Sequence, residues 1–184
     1  MSTDRGQILL PIARASIGSR LQIPLHADER AAWLDEPGAC FVTLTRNGQL
    51  RGCIGSLQPH QSLLADLKKN AVSAAFSDPR FSPLCQEEFG GTSIEVSLVG
   101  AAKTMEFHNE ADALFQLKPG VDGVILEFSR YRSTFLPQVW EQLPEPDQFI
   151  AHLKRKAGLP ENFWHPEIRL ARYSVTKFSE TEYA

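Results

Sequence analysis

Apolar positions along the chain alternate between a period near 3.6 and a period of two, and the changes mark out the elements. Ile8, Leu9, Ile12 and Ile17 share one side of a helix that Asp4 caps and that runs to about residue 21. Pro11, inside it, is expected to kink the helix or mark its true start. Residues 40–44 and 49–57 read as two strands joined at Asn47-Gly48, which suits a two-residue type I′ turn because both residues tolerate positive φ. Leu63, Leu64, Leu67, Ala71, Ala74 and Ala75 recur at three and four, predicting a helix over 61–76. Residues 92–99 alternate, with Ile94, Val96 and Leu98 against Glu95 and Ser97. A short helix at 110–117, strands at 123–128 and 133–140, and a helix closed by Gly158 and Pro160 follow. Residues 167–178 read as a last strand.

The order hairpin, helix, strand thus occurs twice, over 40–99 and over 123–178, placing Cys53 and Phe135 in comparable second strands. The fold class that follows is α+β: a mainly antiparallel sheet with packed helices, an internally duplicated hairpin–helix–strand unit and two unequal subdomains. The chain is read as a single domain over 1–184, with the connections 23–38 and 100–122 forming a smaller lobe.

Composition narrows the function. In 184 residues, 42% are hydrophobic and 22% charged, enough to bury a core. The net charge is -3, and the basic residues are scattered, which argues against nucleic acid as a partner. No apolar run is long enough to span a membrane, and the N-terminus lacks the pattern of a signal peptide. Three cysteines without CxxC do not make a disulfide framework, so a cytoplasmic protein with reduced thiols is expected. His26, His60, His108, His152 and His165 show no metal-binding spacing, and no metal or other cofactor is implied.

Candidate chemistry gathers at the hairpin. Counting outward from Asn47-Gly48 pairs Leu44 with Arg51 and Val42 with Cys53, so a cation and a thiol leave one strand on the same face. Gly52 and Gly55 flank the thiol, as a bulge or a close approach would require. Arg51 is then either an anion-binding fork or a structural cation paired with Glu95 or Asp78. Cys53 is either a nucleophile or a small core side chain, and Cys40 and Cys85 are read as core. Glu95 is a solvated carboxylate or an acid–base partner of the thiol, and His60 would have to fold back to serve as its base. Asp78 and Arg80 flank a proline turn. Phe135 and Trp140 belong to the core or to an aromatic wall for a planar ligand, and Pro137, inside an expected strand, leaves Gln138 exposed.

The hexapeptide LRGCIG at residues 50–55 resembles the AMMECR family, the A component of the AmmeMemoRadiSam system. AAFSDPRFSPL at 74–84, IEVS at 94–97, FLPQVW at 135–140 and KAGL at 156–159 follow in the same order. The resemblance covers roughly residues 9–180. It implies an α+β fold of two unequal, internally duplicated subdomains, and company: a Memo-like protein and a radical SAM protein as separate chains. It supplies no reaction and no oligomeric state. Two readings result. One is a component that binds a small anionic ligand or a protein partner through Arg51, Gly52, Cys53, Gly55, Asp78, Arg80 and the FLPQVW segment. The other is an enzyme using Cys53 as nucleophile on a small anionic substrate, with Arg51 and Glu95 assisting.

Overall fold

The computed structural model describes residues 4–183, which form two compact units. The first comprises the chain up to Val99 together with the segment from Thr176 onward, and the second is Gly100–Val175. The smaller lobe is therefore not built from 23–38, which belongs to the first unit.

In the first unit, α1 (Arg5–Arg20) starts at Asp4, whose carboxylate accepts from the Gly6 N–H. The helix passes through Pro11 without ending. A 3-10 turn (Ala32–Leu34) leads into the hairpin of β1 (Pro37–Arg46) and β2 (Gln49–Gly55). Asn47 at φ 52° and Gly48 at φ 74° make the expected turn. Residues 61–62 are not the start of the next helix but a two-residue strand, β3 (Gln61–Ser62). The Ser62 hydroxyl then caps α2 (Leu63–Phe76). A four-residue helix, α3 (Gln86–Phe89), precedes β4 (Thr92–Val99).

Beyond Val99 come β5 (Lys103–Thr104), α4 (Glu110–Gln116), β6 (Gly123–Phe128) and β7 (Tyr131–Phe135). Residues 133–140 are not one strand. Pro137 has no N–H to give a ladder, and it opens a 3-10 turn (Pro137–Glu141) instead. Then come α5 (Pro146–Ala157), closed by Gly158 at φ 93°, β8 (Arg169–Tyr173) and β9 (Val175–Ser179). The expected last strand is thus two strands in two different sheets, broken at Ser174, whose carbonyl accepts from the Gly100 N–H.

The first sheet has the order β2-β1-β4-β9 and the second β5-β8-β6-β7. In each, the first strand of a hairpin is flanked by its own partner and by the strand after the helix: β2-β1-β4 in one, β7-β6-β8 in the other. This is the duplication read from the sequence, present in topology where side-chain identity is poor. Apolar faces of α1 and α2 close over Cys40, Val42, Leu44, Ile94 and Val96 in the first unit. Phe149, Ile150 and Leu153 of α5 pack with Val124, Leu126 and Leu170 in the second.

The hairpin is fixed to α2 by a buried carboxylate. Asp66, 2% exposed, accepts from the Cys40 N–H (2.9 Å), the Ser56 hydroxyl (2.6 Å) and the Asn70 amide (2.9 Å). Asp66 stands in the first turn of α2, where the helix dipole also favours a negative charge. Gly52 permits the close seating: a Cβ there would lie 2.1 Å from the Ala74 carbonyl oxygen, a backbone atom that cannot swing aside. Replacing it, Gly52→Ala, is expected to destabilise the chain by about 3 kcal/mol, read as a lower urea midpoint at unchanged slope. A wild-type midpoint would refute this packing.

Candidate functional site

The hairpin does not keep the register that simple counting gives. Arg46 pairs with Gln49 and Thr45 with Leu50, but Leu44 then pairs with Gly52, Thr43 with Cys53 and Val42 with Ile54. Arg51 is the extra residue of a β-bulge, a feature that local alternation cannot reveal. The bulge moves Cys53 opposite Thr43, whose side chain points away from the core, so the thiol stands on the outer face.

The backbone of Cys53 looks the other way, to the free edge of β2. Its N–H donates to Asp78 Oδ2 at 2.9 Å, and its carbonyl accepts from Arg80 Nη2 at 3.5 Å. The segment Asp78-Pro79-Arg80 therefore occupies the place of a further strand. It is held by its own ion pair, Arg80 Nη2 to Asp78 Oδ2 at 2.7 Å and Nε to Oδ1 at 3.0 Å. The Arg80 guanidinium holds the Asp78 carboxyl well below the usual carboxylate range, with the Cys53 N–H adding to the effect. Since the backbone groups of Cys53 face outward, Thr43 and Cys53 form a non-hydrogen-bonded pair, the kind that brings side chains closest. Thr43 Oγ1 and Cys53 Sγ are 3.3 Å apart.

Thr43 also pairs with Glu95 on β4, so the outer face carries thiol, hydroxyl and carboxylate on three successive strands. Lys177 of β9 adds an ammonium 4.0 Å from Glu95. Glu95 stands on the strand beyond Thr43 rather than beside the Cys53 thiol. One non-hydrogen-bonded and one hydrogen-bonded spacing separate the two residues, about 10 Å between Cα atoms.

Arg51 pairs with neither Glu95 nor Asp78. It forks onto Glu88 of α3, Nε to Oε1 at 3.1 Å and Nη2 to Oε2 at 3.0 Å, and Arg46 Nη1 reaches the same Oε1 at 3.1 Å. The Arg51 side chain is only 12% exposed, and its buried Nη1 has no acceptor. The bond from Arg51, seconded by the Cys85 N–H, lowers the Glu88 pKa to about 2. Glu88 and Thr43 were not singled out from the sequence. A carboxylate thirty-seven positions from its arginine gives no local signal. Of the cysteines, Cys40 is core as expected, whereas Cys85 is exposed at the start of α3. Gly52 backs onto α2, and Gly55 lies beneath the Phe41 ring, where a Cβ would be 2.2 Å from Cγ. Among the described residues no cluster of His, Cys, Asp and Glu could hold a metal ion.

The remaining candidates belong to the second unit. Trp140 is buried, stacks on Phe149 at 3.8 Å between ring centroids, and donates its indole N–H to the Asp122 carbonyl. Phe135 meets Phe149 edge-on at 5.3 Å. Trp140 is thus a core side chain of that unit and Phe135 a half-buried one packed against the core, with Pro137 half-buried and Gln138 exposed beside them.

The AMMECR1 family model matches residues 10–178, nearly the whole chain and both units. The chain belongs to the AMMECR1 family. Relatives include a protein of Methanothermobacter thermautotrophicus, 36% identical over 98% of this chain and 96% of its own. Protein MJ0810 of Methanocaldococcus jannaschii is likewise 36% identical, over 99% and 93% of the two chains. The crystal structure of the uncharacterized protein PH0010 from Pyrococcus horikoshii superposes with a TM-score of 0.81 at 30% identity, covering 96% of this chain and 92% of that one. None of these names states an activity. No helix among the described residues is long and apolar enough to cross a membrane.

The Arg51–Glu88 pair sets an acid limit on the site. Glu88 falls from its ordinary 4.5 to about 2 on folding, and Asp78 is lowered too, so the unfolded chain binds more protons than the native one. Their contribution is complete above about pH 4.5 and is lost as pH falls toward 2. Urea midpoints measured against pH are expected to drop across that window. Glu88→Gln is expected to cost about 3 kcal/mol at neutral pH, because it leaves Arg51 buried without its counter-charge, and to flatten the acid limb. An unchanged acid limb in the variant would contradict this assignment.

Proposed function

We propose that this chain is a binding component that works beside Memo-like and radical SAM proteins and receives one of them on the outer face around Cys53. What carries the reading is the state of the arginines. Arg51 is spent on Glu88, and Arg80, although its side chain is 54% exposed, is forked onto Asp78. Neither is a free cation waiting for a small anion, and neither is bonded to the sulfur. The thiol's polar neighbour is the Thr43 hydroxyl, and the nearest carboxylate on its face is two strands away.

Such a surface offers shape and hydrogen bonds on a rigid sheet, which suits recognition of a protein partner better than nucleophilic turnover. A nucleophile is favoured by a cation or base bonded to the sulfur, whereas Arg80, the cation beside Cys53, is forked onto Asp78 and reaches the Cys53 carbonyl rather than its thiol. Membership of the AMMECR1 family supports the choice of partner through the resemblance to the A component of the AmmeMemoRadiSam system.

Titration calorimetry of the purified chain with a Memo-like protein and with a radical SAM protein of the same organism tests this reading. A saturable complex with one of them is expected. Thr43→Arg, which fills the outer face without touching the core, is expected to weaken it at least tenfold while thermal unfolding changes little. Absence of a complex with both proteins, or a complex indifferent to Thr43→Arg, would overturn the proposal.

A further inference from the structure

A groove of about 510 Å³ runs along the first half of α1 in the first unit, within the range of small-molecule pockets. It shares no residue with the face around Cys53. Leu10, Pro11 and Leu25 give it an apolar lining. Leu25 is 42% exposed, an apolar side chain kept at the surface beside an open cavity.

The polar groups lining this groove are short of donors. Pro11 has no N–H, so the Gln7 carbonyl, one turn earlier on the same lining, lacks its helical partner. The Tyr183 hydroxyl gives its proton to Asp4 Oδ2 at 2.6 Å and keeps its lone pairs. That bond also raises the tyrosine pKa to about 12, so the phenol stays neutral. Glu180 accepts from Arg14 and from the Ile94 N–H, and a carboxylate has capacity for one more donor. Arg14 itself is committed: besides Glu180 it donates to the Phe89 and Thr92 carbonyls. His26, on the rim, adds an acceptor nitrogen when neutral. Arg14 offsets Glu180, and the carboxylates of Asp4 and Glu182 near Tyr183 make this end of the groove negative.

We infer that this groove binds a small organic amine with an apolar body. The ammonium donates to the Gln7 carbonyl, the Tyr183 oxygen and the Glu180 carboxylate, and the apolar part lies on Leu10, Pro11 and Leu25. The site is independent of the role proposed for the outer sheet face.

Phenethylamine is a suitable probe, with phenylacetate as its anionic counterpart of similar shape. In NMR titrations of the isotope-labelled full chain, saturable shifts are expected at groove residues with the amine, and at least tenfold weaker binding with the carboxylate. Pro11→Ala restores a helical donor to Gln7 and favours the helix, so the variant folds. It is expected to weaken the amine by roughly three- to tenfold, the worth of one hydrogen bond. Shifts that do not saturate, equal binding of phenylacetate, or a Pro11→Ala variant with undiminished affinity would each overturn the inference.

Discussion

One hydrogen bond, from the Cys53 N–H to the Asp78 carboxylate, sets how the hairpin is presented. An edge strand offers a row of unpaired backbone groups, and proteins that leave such an edge open invite other strands to add to it. Here Asp78, Pro79 and Arg80 take that position, with the proline fixing φ and the ion pair holding the turn. With the edge of β2 occupied at Cys53, that strand is open to a partner there only through its side-chain face. The same bond makes Thr43 and Cys53 a close pair and so brings the hydroxyl to the sulfur.

Two aspartates hold the hairpin to α2, one near each end of the helix. Asp66 ties down Cys40 and Ser56, and Asp78, two residues past Phe76, ties down Cys53. Between them Gly52 lets the strand lie on the Ala74 carbonyl. This seating fastens the hairpin to α2 and the turn after it. Its cost is an arginine, Arg51, drawn into the bulge and neutralised by Glu88, with one guanidinium nitrogen left without an acceptor. The arginines near Cys53 are therefore bonded within the chain, Arg51 to Glu88 and Arg80 to Asp78.

Much of the fold was legible in the sequence because its elements are locally encoded. Asn47-Gly48, the alternation over 92–99 and the three–four spacing over 63–76 each specify their element without help from distant residues. The duplication could be read from element order alone. The candidate site was only half legible. That Cys53 and the two glycines belong together follows from their proximity in the chain, whereas Asp78 and Arg80, 25 and 27 positions further on, were brought in only by the segments that carry the resemblance. Gly52 and Gly55 signalled a bulge or a close approach without fixing which residue is extra, while the pairing of Arg51 with Glu88, the exposure of Cys85 and the break at Ser174 depend on neighbours far along the chain. Phe135 and Trp140 were drawn into the candidate site by their motif, but Trp140 turns inward because Pro137 ends the strand.

The presentation of the hairpin depends most on the edge of β2 being occupied at Cys53, and amide hydrogen exchange at that single residue tests it directly. In the wild-type chain the Cys53 amide is predicted to exchange slowly, as an interior sheet amide does, despite lying on an edge strand. In Asp78→Ala, which removes the acceptor, it is predicted to exchange far faster while amides of β1 and β4 keep their protection. A Cys53 amide that exchanges at the rate of an open edge in the wild-type chain would contradict the account.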